Sequence, residues 1–256
     1  MKKRIKAIVF AIALLLSITV IQVSIYADTP LETNAKTVDV MFLHDTHSHL
    51  NAFATVEDGK SQVLGGFSRI KTLINEQKNR NPDTLLLDAG DFSMGTLIQV
   101  IYETEASELR MLGELGMDAT TLGNHEFDYK AKGLVNMLNV ASASGEDLPQ
   151  MLVCNIDWVN MMEEGLTEEQ ELLLEAFDNY GVKEYTMVEK NGVNIAVLGV
   201  FGVDALACVP NSPLEFEDPV EAVQETVAKI KEKENADMII CISHSGTWVT
   251  KLLQKN

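Results

Sequence analysis

The sequence predicts an α/β protein in which a mixed sheet lies between layers of helices. Three observations predict it. Apolar runs of strand length alternate with stretches of helical periodicity along most of the chain. Several runs, Leu85-Leu86-Leu87 and Met238 to Ile242 among them, are apolar without a break, as strands covered on both faces are. An Asn191-Gly192 pair separates two further runs in the manner of a β-hairpin.

Taken in order, Val38 to Leu43 reads as a buried strand. Gly66 to Arg80 reads as an amphipathic helix, with Phe67, Ile70, Leu73 and Ile74 at helical spacing. Pro82 marks a turn before a strand over Thr84 to Asp88. Leu97 to Leu115 reads as one helix ended by Gly116, Asp118 to Leu122 as a short strand, Tyr129 to Ser142 as a helix and Gln150 to Ile156 as a strand. Met161 to Asn179 is an acidic helical excursion stopped by Gly181, read as an insertion covering one edge. Lys183 to Glu189 and Val193 to Val200 form the hairpin. Pro219 to Glu234 is a helix with proline at a favoured early position, Met238 to Ile242 is the last strand, and Thr247 to Leu253 starts another helix.

With 256 residues, 46% of them apolar, the chain can bury a substantial core as one large domain or two small ones. A formal charge of −18 argues against a nucleic-acid partner. Lys2, Lys3, Arg4 and Lys6 precede an apolar stretch from Ala7 to Val23, and Ala27 precedes the acidic Asp28. Residues 1–27 therefore read as a cleaved signal peptide, 28–37 as a linker and 38–256 as the folded domain. The mature protein is expected to be exported, to the periplasm, the cell surface or beyond. An uncleaved N-terminus, nearly long enough to span a bilayer, is the only membrane contact this reading allows. Cys154, Cys208 and Cys241 form no CxxC pair, and an odd count gives no disulfide framework, so all three read as packing residues.

Three polar clusters follow apolar runs: Asp45-Thr46-His47, Gly90-Asp91 and Gly123-Asn124-His125-Glu126, with His244 closing the last strand. Strand ends are where α/β folds collect functional groups. Asp45 and His47 lie two apart, so an extended backbone would set them on one face to grip one ion. Asp91 can bridge two ions, and Asn124 offers a neutral amide oxygen suited to a hard cation. His125 is then free to face a substrate, with Asp128 fixing its tautomer. Such a donor set suits two divalent ions, with Mn, Zn, Fe and Co about equally acceptable.

Of the neighbouring residues, His44 alternates away from Asp45 and His47 and reads as a packing or loop residue. His49 could touch a ligand. Arg69 is either a surface helix residue or a phosphate contact. Trp158 and Trp248 read as packing residues.

The runs Leu43-His44-Asp45-Thr46-His47, Asp88-Ala89-Gly90-Asp91-Phe92, Gly123-Asn124-His125-Glu126-Phe127-Asp128 and Ser243-His244 together resemble the secreted 5′-nucleotidase family of calcineurin-like metallophosphoesterases. Gly65-Gly66-Phe67-Ser68-Arg69 is similar to that family's entry into its first helix. The resemblance runs from about Val38 to Trp248. It implies a four-layer αββα sandwich around a dimetal site. It assigns Asp45 and His47 to one metal, Asp91 to both, and Asn124 and His244 to the other. His125 stabilises the phosphoryl transition state or protonates the leaving group, and Asp128 orients it. The implied reaction is hydrolysis of phosphate esters by in-line attack of a metal-bound hydroxide, on nucleotides, nucleotide sugars or cyclic nucleotides. The family completes its metal site with a Gly-His-x-His segment that has no match after His244, and its C-terminal specificity domain has none either. This reading therefore expects a truncated member, with a catalytically inactive fragment or binding module as the alternative. A zinc amidohydrolase built on Asp-x-His is disfavoured, because it gives the Gly-Asn-His-Glu run no role.

Overall fold

A computed structural model describes residues 36–246. The expected signal peptide, most of the expected linker, Trp248 and the helix expected from Thr247 lie outside the described residues. The chain divides into two units, Met1–Lys36 and Thr37–Asn256, and every element below belongs to the second.

Four parallel strands make the first sheet: β1 (Val40–Leu43), β4 (Leu85–Asp88), β5 (Ala119–Thr120) and β6 (Gln150–Met151), in the order β1-β4-β5-β6. The second sheet has the order β7-β8-β9, from β7 (Tyr185–Lys190), β8 (Val193–Phe201) and β9 (Met238–His244). β7 and β8 form the antiparallel hairpin expected around Asn191-Gly192, and β9 runs parallel to β8. A separate hairpin of β2 (Phe53–Glu57) and β3 (Lys60–Leu64) stands apart from both sheets.

Side-chain parity turns these strands into layers, because successive residues of a strand face opposite ways. Leu85 and Leu87 of β4 point one way, into a cluster with Ile195 and Val197 of β8 and Ile242 of β9. Leu86 points the other way, into a larger core of helical residues. Ala196, Leu198 and Val200 of β8 face Ala222, Val223 and Ile230 of a helix over Pro219–Lys233. Helices, sheet, sheet and helix follow one another, which is the αββα arrangement.

The outer layer over the first sheet is built by α1 (Phe67–Arg80), α2 (Tyr102–Glu105), α3 (Ser107–Leu115), α4 (Lys130–Ala143), α5 (Trp158–Glu164) and α6 (Glu168–Tyr180). A short α7 (Val203–Ala207) follows β8, and α8 (Pro219–Lys233) covers the second sheet. α6 starts with a capping box, in which Thr167 and Gln170 satisfy each other's backbone N–H groups. It ends at Gly181 in a left-handed conformation. Its buried Leu173, Ala176 and Phe177 join the outer core, and Trp158 packs edge-on against Phe177.

Four expectations need correction. The mixed sheet read from the order of elements is two sheets, as the resemblance to an αββα sandwich implied, because a strand buried on both faces carries no mark of which partner it pairs with. The helix expected over Leu97 to Leu115 is a 3₁₀ turn (Leu97–Ile101) followed by α2 and α3, broken at Ala106 with φ of 47°. The apolar periodicity survives the break because Tyr102 and Leu109, Leu112 and Leu115 enter the same core. The strand expected over Gln150 to Ile156 pairs as β6 only at Gln150–Met151. Beyond it, Leu152 bridges Lys183 and Ile156 bridges Phe216. The acidic excursion is two helices, split around Gly165. The β2–β3 hairpin lies outside the expected elements because both strands are short and largely exposed, although Asp58-Gly59, both at positive φ, is its signal.

Among the described residues β1 and β9 each lie at one edge of their sheet, with Val40, Phe42 and Met238 exposed, so β1 is not the buried strand expected over Val38 to Leu43: Val40 and Phe42 lie at an open edge. No helix among the described residues is long and apolar enough to cross a membrane.

Candidate metal centre

The clusters converge at the ends of β1, β4, β5 and β9. β1 and β4 pair in parallel, and their register continues into the loops: the Asp45 N–H donates to Gly90 O (3.1 Å), the His47 N–H to Asp91 O (3.0 Å) and the Ser48 N–H to Phe92 O (2.9 Å). The backbone there is not extended. Asp45, His47, Ser48 and Asp91 have φ of 50°, 44°, 53° and 51°, a left-handed region that L-residues enter at a cost. Strain of this kind concentrates at functional sites, and here it replaces the strand alternation expected to bring Asp45 and His47 together.

The loops after β4 and β5 meet at van der Waals limits. A Cβ on Gly90, itself at φ 84°, would lie 2.5 Å from Gly123 N. A Cβ on Gly123 would lie 2.1 Å from Asp91 Oδ1. Glycine at both positions is therefore what lets Asp91 approach the Asn124-His125 segment. The His125 N–H then donates to Asp91 Oδ1 at 2.9 Å, which leaves Oδ2 facing the other ligands.

Two groups of potential metal ligands share Asp91: His47, Asp91 and His125, and Asp45, Asp91 and His244. Within each group one donor atom per residue lies within 4.8 Å of the others. His47 Nε2 stands 4.0 Å from both Asp45 Oδ1 and Asp91 Oδ2, and His244 Nε2 is 3.2 Å from Asp91 Oδ2. Carbonyl oxygens only accept, so contact with one assigns the ring proton. His47 Nδ1 donates to Met94 O (3.1 Å) and Ser93 O (3.3 Å), and His244 Nδ1 to Ala89 O (2.8 Å). Both rings thus turn Nε2 toward Asp91, the orientation a ligating histidine takes when its other nitrogen is tied down. Three imidazoles and two carboxylates, one of them shared, fit a pair of divalent ions of intermediate hardness.

His125 lies edge-on to His47, with centroids 5.0 Å apart, and its Nδ1 is 2.8 Å from Asp128 Oδ2. The ring expected to face a substrate is also within reach of the His47 group. Asn124 lines the cleft beside Asp45, Ala89 and His244, a hollow of about 470 Å³. Of the seven residues singled out, Asp45, Asn124 and His244 line this hollow, and His47, Asp91, His125 and Asp128 adjoin them through the contacts above.

The charges act on one another strongly. Burial pulls the His244 imidazole down, but the Asp91 hydrogen bond and charge and the Ala89 carbonyl outweigh it, raising the pKa to about 9. Burial pushes Asp91 up, but the hydrogen bonds from His244 and the His125 N–H leave it below the usual carboxylate value. Burial likewise lowers His125, and the Asp128 hydrogen bond and the Asp91 charge reverse the sign.

His44, expected to point away, turns its Nδ1 to Asp45 Oδ2 at 2.8 Å, because the left-handed Asp45 breaks the strand alternation. His49 is exposed and lies edge-on to Phe53. Arg69 donates to Val63 O and so ties α1 to the β2–β3 hairpin. Cys154 is buried, whereas Cys208 is exposed on the cleft wall and is not a packing residue.

Three fully buried acids add roles that sequence reasoning does not reach. Glu126 accepts from Asp91 N (3.0 Å) and Gly123 N (2.6 Å) through Oε2, and from Ser93 N (3.1 Å) and Ser93 Oγ (2.8 Å) through Oε1, joining the two ligand loops. Burial first, then the Asp91 charge, raise its pKa to about 7. Asp88 accepts from Thr120 Oγ1 (2.6 Å) and Gly90 N (3.1 Å), while its Oδ1 has no partner. Glu108 accepts from Ser48 and Ser107. Only Glu126 carries a signal, as a charge wedged between His125 and the buried Phe127.

A family model described as calcineurin-like phosphoesterase matches residues 39–254. The chain belongs to the calcineurin-like phosphoesterase family. It is 30% identical over 219 residues to the trifunctional nucleotide phosphoesterase protein YfkN of Bacillus subtilis, covering 81% of this chain and 14% of that protein. It is 31% identical over 223 residues to the 5′-nucleotidase of Bos taurus, covering 84% of this chain and 35% of that one. Among solved structures, the 5′-nucleotidase precursor from Thermus thermophilus superposes with a TM-score of 0.66 at 23% identity, over 84% of this chain and 38% of that chain. At that identity the likeness speaks for the fold. The chain spans well under half the length of each of these relatives, and as a calcineurin-like phosphoesterase it corresponds to one part of them.

Proposed function

We propose that this chain is the metal-binding part of an exported phosphohydrolase that cleaves nucleotide phosphate esters. The observation that carries the reading is the shared carboxylate: Asp91 belongs to both ligand groups, as a residue bridging two ions must. Asp45 and His244 would hold one ion with Asp91 and His47 would serve the other, a division that departs from the Asp45–His47 pair implied by the resemblance, although His47 Nε2 also lies 4.0 Å from Asp45 Oδ1; Asn124 would add its amide oxygen from the cleft wall. When bound, the ions polarise a phosphoryl oxygen and lower the pKa of an attacking water. The protein's own groups do the rest. Asp128 fixes the His125 ring, so that its other nitrogen can stabilise phosphoryl charge or hand a proton to the departing oxygen. The likeness to a nucleotide phosphoesterase and to 5′-nucleotidases supports nucleotides or nucleotide sugars as substrates.

The test is phosphate release from AMP by the chain with Mn²⁺. Activity should vanish with EDTA and fall about 10²–10⁴-fold in His125→Ala, the range for loss of a general acid. Release that survives EDTA, or that His125→Ala leaves intact, overturns the reading. No release at all from a chain that binds Mn²⁺ would make it a binding module without turnover.

A further inference from the structure

Glu108 has no part in the site just described, yet it is fully buried and its carboxylate reaches across the fold. It is the second residue of α3, next to the left-handed Ala106. An acid at that place usually faces solvent and complements the helix dipole. Here Oε1 instead accepts the Ser48 hydroxyl at 2.6 Å, from sixty residues upstream, and Oε2 accepts the Ser107 hydroxyl at 2.7 Å. Ser48 is pinned on every side: its N–H donates to Phe92 O (2.9 Å), and its carbonyl accepts from Thr96 Oγ1 (2.7 Å). It adjoins His47, and both residues sit at positive φ.

We infer that Glu108 is a positioning residue for His47, acting through the Ser48 hydroxyl. A left-handed pair of non-glycine residues relaxes unless something holds it. The Ser48 side chain is the handle, and a buried carboxylate is a strong acceptor for it. Releasing that handle lets His47 rotate, and its Nδ1–H then leaves Met94 O and Ser93 O. Asp45 has its own anchor at Gly90 O, and His244 its own at Ala89 O. The effect therefore falls on the His47 group and spares the Asp45–Asp91–His244 group. This selectivity separates positioning from general stabilisation. The metal arm of the test rests on the function proposed above, whereas the ring arm does not.

The experiment uses the full chain as wild type, Ser48→Ala, Glu108→Gln and Ser107→Ala. In EDTA-treated protein, long-range ¹H–¹⁵N spectra read the His47 ring. The wild type should show the Nδ1–H tautomer, and Ser48→Ala a mixture. Glu108→Gln should keep the wild-type signal, because its amide oxygen still accepts from Ser48. Ser107→Ala, which removes the other hydroxyl from the same carboxylate, should keep it too. Mn²⁺ titration should then show one of two sites weakened roughly 10–100-fold in Ser48→Ala, the scale of lost outer contacts to a ligand. The second site should stay within about twofold. If Ser48→Ala does not fold, Ser48→Cys, which fills the space with a weak donor, takes its place. An unchanged His47 tautomer, or equal weakening of both sites, overturns the inference. A wild type that takes up no Mn²⁺ overturns the proposed function instead, and the Ser48→Ala tautomer still decides whether the Ser48–Glu108 bond positions His47.

Discussion

Burying a carboxylate without a cation beside it is costly, and this fold encloses Asp88, Glu108 and Glu126 around one site. Asp88 has a testable consequence. Burial raises its pKa from 3.8 to about 7, despite the bonds from Thr120 and Gly90. Between those values the folded protein keeps a proton that the unfolded chain has lost, so stability falls as pH rises. Glu126 acts in the same direction over a similar interval. His244, raised to about 9, contributes stability that is complete below pH 6.5 and lost as pH climbs through 9. Metal-free protein in EDTA should therefore melt at progressively lower temperature from pH 5 to pH 9. Asp88→Asn should flatten the part of that curve between pH 5 and 7 and leave the upper part alone. An unaltered curve would show that Asp88 ionises as an exposed acid does. At this scale the candidate ligands stood out in the sequence, because Asp, His and Asn in glycine-flanked clusters have little packing value. Glu108 did not, since an acid in the first turn of a helix looks like any surface residue.

Turns decide the elements. Asn191 and Gly192 have φ of 53° and 69°, the pairing that a two-residue hairpin turn demands, and the β7–β8 register follows from it. Gly192→Ala puts a Cβ into the left-handed region and should cost about 1–2 kcal/mol. Urea unfolding measures this as a lower midpoint at unchanged slope. A change in slope would mean instead that the hairpin had come apart. The hairpin was legible because its turn residues sit between two alternating runs. The break at Ala106 was not, because alanine is a good helix former and nothing local marks a left-handed residue there. Packing of Tyr102 and Leu109 into one core overrides that preference.

At the scale of the molecule, the candidate centre gathers its residues from both sheets: Asp45, His47, Asp91 and His125 from the loops of the first, His244 from the end of β9 in the second. Metal binding should therefore stabilise the sandwich as a unit. Mn²⁺ at a hundredfold over its Kd should add about 2.7 kcal/mol, which for a domain of this size raises the melting temperature by roughly 5–10 °C over EDTA. Asp91→Ala should remove the gain entirely, since both ligand groups lose a member. His47→Ala and Asp45→Ala should each keep part of it. Equal losses in all three variants would argue against two groups sharing one carboxylate.

The sequence by itself determined the fold class and most of the elements, and it named the seven candidate residues that the fold brings close together. Those properties are local: apolar periodicity, turn chemistry and the types of side chain that can hold metal. Only the tertiary structure decided which strands enter which of the two sheets, that left-handed loops rather than a strand face bring Asp45 near His47, and that buried acids bond to those loops. Each of these depends on which distant surfaces pack together, and a strand apolar on both faces, or a glutamate at a helix start, carries no local record of its partner.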